Sequence, residues 1–144
     1  MELEGLGLVG LFIASFLSAT LLPFSSEVIL ILFLSQGFSP FLVFLSASFG
    51  NGFGGMFNYF MGFYIQKINW FSRMHTLEKL QKSKKWIDSS GSFLAFFSWV
   101  PFVGDPLLVA MGFFNFPKFA TLFWMWIGKL VRYLVVILLY LYFR

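Results

Sequence analysis

Long apolar blocks fill this chain, separated by short breaks rich in proline, serine and glycine. The first block, Gly5 to Leu22, ends at Pro23-Phe24-Ser25-Ser26-Glu27. A short block, Val28 to Leu34, follows and stops at Ser35-Gln36-Gly37. Phe41 to Ile65 is long enough to span a bilayer, and a lysine-rich segment occupies 66–91. Ser92 to Val100, a second proline turn over Pro101–Pro106 and a short block from Leu107 to Phe114 come next. Lys118 to Phe143 closes the chain as a second full-length block. At about 1.5 Å per residue the short blocks cannot cross a hydrocarbon core of about 30 Å. They read as arms of re-entrant hairpins whose tips are the turns at Pro23 and at Pro101 and Pro106. The pattern predicts an all-α integral membrane protein, one membrane domain over 1–144.

The two halves align at a constant offset, the one that carries Pro23 onto Pro101. At this offset Phe24 meets Phe102, Glu27 meets Asp105, Leu30 meets Leu108, and Gly50 meets Gly128. In so phenylalanine-rich a chain the shared Pro-Phe-x-x-acid turn says more than the identities. Each repeat, about 5–65 and about 92–144, would hold one hairpin and one spanning helix. A single span per repeat inverts the second relative to the first, as in inverted-repeat transporters. The alternative is four plain helices kinked at proline.

Composition agrees with a lipid solvent. Of 144 residues 59% are hydrophobic, 23% aromatic and 11% charged, and the mean hydropathy is +0.84. Soluble domains carry roughly 25% charged residues. The 23 phenylalanines also exceed what so small a core could bury. With no cysteine, disulfides, iron–sulfur clusters and Cys-based zinc sites are excluded. The acidic start, without a small-residue cleavage site, argues against a signal peptide. Between Lys67 and Asp88 lie six basic and two acidic residues, so this stretch holds the whole net charge of +4. The positive-inside rule assigns it to the cytoplasm, either solvated or lying partly at the lipid interface.

Four charges remain inside apolar sequence: Glu27, Asp105, Lys129 and Arg132. Lys129 and Arg132 fall near the middle of the block that begins at Lys118. Being three apart, they share one helical face. Charges at that depth cost about 2.5 kcal/mol or more and should pair. One reading is a static ion-pair knot. The other is a polar chamber, with Lys129 and Arg132 receiving a charged headgroup and Glu27 and Asp105 exchanging protons. In the Phe41–Ile65 block, Asn51, Gly55, Asn58 and Gly62 form one stripe, with Gly50 and Gly54 beside it. Small residues let helices approach closely and asparagines hydrogen-bond across them; Gly128 extends this packing role to the last block. Phe53, Phe57 and Phe60 should point elsewhere, and Ser26 and Gln36 add polar groups beside the first hairpin.

His75, the single histidine, lies in the basic segment. No intramembrane Ser/His/Asp set, metalloprotease motif or phosphate loop occurs. Neither an enzyme nor an ATP-driven machine is expected, and no cofactor, metal or nucleic acid.

At Leu22–Glu27, Gly50-Asn51 through Asn58-Tyr59 and Gly62, Pro101 through Gly112, and Gly128-Lys129 to Arg132-Tyr133, the sequence resembles the DedA family of bacterial inner-membrane proteins. Its VTT-type membrane domain also occurs in eukaryotic lipid scramblases. The likeness is greatest to the short, YqaA-like branch, through the Gly104–Leu107 turn and the Gly128–Tyr133 run. It implies paired re-entrant hairpins, residence in the inner membrane, and movement of a phospholipid or undecaprenyl phosphate, linked to proton-motive force. Glu27 corresponds to the family's acid after the first hairpin proline. Larger members have a further membrane acid upstream, where this chain has Ser15 or Ser18. They also carry arginines beside the second hairpin proline, where this chain has Ser98 and Gly104. Lys129 and Arg132 are the cations available in their place. The alternatives are a proton- or ion-coupled transporter of a small soluble solute and a membrane scaffold. So small a chain can barely enclose a headgroup path, which leaves room for a homodimer.

Overall fold

The computed structural model describes residues 2–20, 26–68, 91–100 and 102–144. All the elements among them are helical: α1 (Glu2–Thr20), α2 (Ser26–Ser35), α3 (Pro40–Ile68), a 3₁₀ helix (Gly91–Trp99), α4 (Gly104–Phe113) and α5 (Lys118–Phe143). Each predicted block became one helix. Pro23, Pro101 and nearly all of the basic segment 66–91 lie outside the described residues. Pro106, expected in the turn, instead occupies the first turn of α4. Proline is tolerated there because the N–H it lacks would have no intrahelical partner.

Both short helices end in the same way. Gly37 and Asn115 adopt left-handed φ of 90° and 64°. After α2, Phe38 N–H donates to Phe33 C=O and Gly37 N–H to Leu34 C=O. After α4, Phe116 N–H donates to Met111 C=O and Asn115 N–H to Gly112 C=O. These are two Schellman stops related by the repeat offset, one using glycine and one asparagine, the residues that best tolerate this conformation. A hydrophobic contact commonly accompanies such a stop. It is present after α2, where the Phe33 and Phe38 rings lie 5.0 Å apart. Beyond the stops α3 begins at Pro40 and α5 at Lys118, again related by that offset.

The chain divides into two compact units, Met1–Gly55 with Lys129–Arg144, and Met56–Gly128. In the first, α1 packs on α2. Its core is Leu11, Leu30, Leu34, Val43, Ala47, Tyr133 and Ile137. Ser46, Gly50 and Gly54 repeat every fourth residue on α3 and meet Leu8, Phe12 and Phe16 of α1. Ser46 Oγ donates to the Leu8 carbonyl at 2.5 Å. A Cβ on Gly50 would overlap the Phe12 carbonyl oxygen, and one on Gly54 would crowd Ala19 and Phe16. Close, parallel contact of α1 and α3 therefore needs glycine here.

In the second unit the 3₁₀ helix packs on α4, around Tyr59, Ala95, Leu108, Met111, Phe116 and Met125. Its nine residues are long for a 3₁₀ helix. A Cβ on Gly104 would strike the Ser98 carbonyl, so the start of α4 lies tight against the 3₁₀ helix. Gly62 and Gly112 form a reciprocal crossing of α3 and α4: a Cβ on either would overlap a carbonyl of the other helix, that of Val109 or of Tyr59. Gly128 meets the Phe96 carbonyl as Gly50 meets that of Phe12.

Among the described residues α5 alone is long and apolar enough to cross a membrane. The 29 residues of α3 extend about 44 Å, ample for a bilayer. Its serines, glycines and asparagines lower its hydropathy, so the second expected span is met in length and not in apolarity.

Candidate functional site

The charged residues of the apolar helices are placed by ordinary helix rules. Glu27 and Asp105 each take the second position of a ten-residue helix, α2 and α4. Carboxylates are favoured there by the positive end of the helix dipole. Lys129 and Arg132, three apart on α5, share a face.

In the first unit Arg132 meets Glu27. Its Nε donates to Glu27 Oε1 at 2.6 Å, and Nη2 donates to the same oxygen. Two charge-assisted bonds thus converge on one carboxylate oxygen. The Arg132 side chain is 13% exposed and that of Glu27 33%. The pair is deeply set on the cation side and open on the acid side. The guanidinium carbon also lies 5.9 Å from the centre of the Tyr133 ring, within cation–π range.

Lys129 is fully buried in the same unit. Its ammonium donates to Asn51 Oδ1, and the Asn51 Nδ2 donates to the Ser15 carbonyl at 3.3 Å. The asparagine is therefore held by α1 and presents its oxygen to the lysine. The hydroxyls of Ser15 and Ser48 are buried without a hydrogen-bond partner among the described residues. Ser48 was missed in the sequence, although it extends the Asn51 stripe by one turn of α3. Ser15 of α1 supplies the backbone carbonyl that holds Asn51.

Asp105 and Asn58 belong to the second unit. Asp105 is half-buried at the start of α4, and Asn58 is buried on α3. Gly55 and Gly62 are buried with it, so the whole predicted stripe faces inward. Tyr59, missed in the sequence beside Asn58, buries its ring and donates its hydroxyl to the Phe116 carbonyl. Phe53 and Phe57 are exposed as expected, but Phe60 is half-buried and packs edge-on to Tyr59. Ser26 is buried at the start of α2. Gln36 is exposed in the turn that ends α2. Among the described residues no cluster of three metal-ligating side chains occurs.

The inner membrane protein YqaA of Escherichia coli (strain K12) is 37% identical to this chain over 134 residues, 92% of the chain and 90% of the relative. The chain belongs to the DedA family. YqaA of Shigella flexneri matches to the same extent. An uncharacterized protein of Haemophilus influenzae is 29% identical over 137 residues, 90% of this chain and 84% of its own length. No family model and no solved structure matches. This DedA-family chain is thus a membrane protein, and the relatives' name places the family in the inner membrane. Glu27, Asn51, Lys129 and Arg132, which carry the resemblance, form the polar centre of its first unit.

Proposed function

We propose that this chain moves a lipid or lipid phosphate across the bacterial inner membrane as a transporter, not as an enzyme. The observation that carries the reading is the Glu27–Arg132 pair with buried Lys129 one turn away, on the one described helix long and apolar enough to cross a membrane. Two cations at that depth offer an anionic headgroup a site. A phosphate arriving at Arg132 would compete with Glu27 for its N–H groups, and protonation of Glu27 would release them. Asp105 is a second proton carrier in this scheme, and Asn51, Asn58 and Ser26 are neutral polar groups along the path.

The re-entrant reading draws support from the second unit. Lys67, at the end of α3, and Lys118, at the start of α5, place their ammonium groups 4.6 and 4.3 Å from the centre of the Phe63 ring. The chain therefore returns to the level it left, and the ten residues of α4 reach in by about 15 Å, half a bilayer core. The matched stops and helix starts of α2–α3 and α4–α5 support an inverted repeat. So does the contact of Lys129 with Asn51, its own counterpart at the repeat offset. The lysine-rich segment and both these ends would face the cytoplasm. The chain has no native cysteine, so Ser83→Cys gives a clean probe. It should react with an impermeant thiol reagent only in inverted vesicles or lysed cells.

The decisive assay is headgroup-resolved lipid translocation in reconstituted vesicles, with and without a pH gradient. Glu27→Gln and Arg132→Ala should each abolish it at preserved folding and insertion. Unchanged translocation in both would overturn the roles given to this pair. Solute-dependent proton flux without lipid redistribution would establish the solute-transport alternative.

A further inference from the structure

An open groove of about 440 Å³ runs along the first unit, lined by Ile31 of α2 and by Val136, Leu139, Tyr140, Phe143 and Arg144 of α5. Its volume lies within the roughly 300–1,000 Å³ of ligand sites. One cation closes a lining that is otherwise apolar or aromatic. Ile31 follows Glu27 by one helical turn, and Val136 follows Arg132 by one turn. One end of the groove therefore begins beside the half-buried Glu27–Arg132 pair. Arg144 lies about 18 Å beyond Arg132 along α5, at the rise of a helix, with Tyr140 and Phe143 near it. Aromatic residues at that level are typical of the membrane–water interface.

We propose that this groove seats one anionic phospholipid, its phosphate on Arg144 and an acyl chain along Leu139, Val136 and Ile31 toward the Glu27–Arg132 pair. Charge complementarity selects the occupant. An apolar trough with a guanidinium at its outer end fits an amphiphile with a negative head, and the interior cation at Arg132 is the next stop for that head. The groove is thus the point of entry from one leaflet. It deepens the translocase reading and rests on it for the step from Arg144 to Arg132.

The test uses the full chain in phosphatidylethanolamine vesicles carrying a trace of phosphatidylglycerol with a photoreactive diazirine tail. Peptide mapping after illumination should concentrate the label on Ile31, Val136 and Leu139, well above exposed Val131, Leu134, Val135 and Leu138 of the same helix. A phosphatidylcholine probe with the same tail should label these positions less. Arg144→Gln should lower phosphatidylglycerol labelling about fivefold, the equivalent of about 1 kcal/mol, without affecting the phosphatidylcholine signal. Val136→Trp, which fills the trough, should abolish the concentrated label. Even labelling around α5, or equal labelling by both headgroups, overturns the site. The same vesicles separate the two claims. Concentrated labelling without translocation keeps the groove and removes the translocase reading. Translocation with even labelling does the reverse.

Discussion

Replacing Glu27 by glutamine tests whether the Glu27–Arg132 pair is a stabilising element as well as a candidate site. Both Arg132 donors end on one oxygen, with Nε at 2.6 Å. A hydrogen bond to a charged group contributes about 1.5–3 kcal/mol. Two donors sharing one acceptor give less than twice that, and the partial exposure of Glu27 weakens the pair further. We expect a coupling energy of about 2 kcal/mol. Glu27→Gln alone should cost about 3 kcal/mol, since it leaves a guanidinium at membrane depth with a neutral partner. Arg132→Gln should cost less, because the half-open carboxylate can recover water or take up a proton. The double substitution should fall well short of the sum. The measurement is a double-mutant cycle from reversible denaturation in mixed micelles, followed by helical circular dichroism. Additive costs, or a Glu27→Gln variant within about 0.5 kcal/mol of the parent, would refute the reasoning.

The other predictions concern packing and the buried lysine. Gly62→Ala and Gly112→Ala should each destabilise by about 1–3 kcal/mol, because the added methyl falls on a carbonyl of the facing helix; the same denaturation series reads this. Asn115→Gly should leave stability unchanged or raise it slightly. Asn115→Ala should cost about 1 kcal/mol, because Asn115 holds a left-handed φ. Lys129→Met should destabilise strongly by leaving Asn51 Oδ1 buried without this donor. Pairing it with Asn51→Leu should recover part of the loss.

What the sequence made legible followed from local chemistry. Helix extents came from apolar blocks and their breakers: α5 has the bounds that Lys118 and Phe143 suggested, and Gly37 marks the stop of α2. Asn115 ends α4 by the same device but is harder to read, because asparagine takes a left-handed conformation only when the following chain turns back. The inward stripe of α3 was legible because helical periodicity needs no tertiary knowledge. The partners of that stripe were not. Nothing local says that Gly50 meets Phe12, or that Lys129 finds the Asn51 amide. Nor does anything local say that the turn after α2 leaves Gln36 exposed. Phe60 followed Tyr59 into the second core, a choice set by which neighbours were available.

The shared sequence offset also accounts for the unequal chemistry of the two halves of the sequence. The repeat offset carries Arg132 back to Gly54, and Lys129 back to Asn51. The first half of the sequence therefore carries Glu27 but presents glycine and asparagine where the second presents two cations. Gly54 cannot be exchanged for a cation without loss, since even a methyl there strikes α1. Close packing of α1 on α3 thus excludes an arginine at Gly54, and the Lys129 ammonium takes Asn51 Oδ1 as its acceptor. Both cations come from α5, and the acid that meets Arg132 comes from α2. Among the described residues Glu27, Lys129 and Arg132 therefore gather in the first unit. Substituting Gly54 should therefore damage folding, whereas moving the cation from Arg132 should damage the lipid movement proposed for this chain.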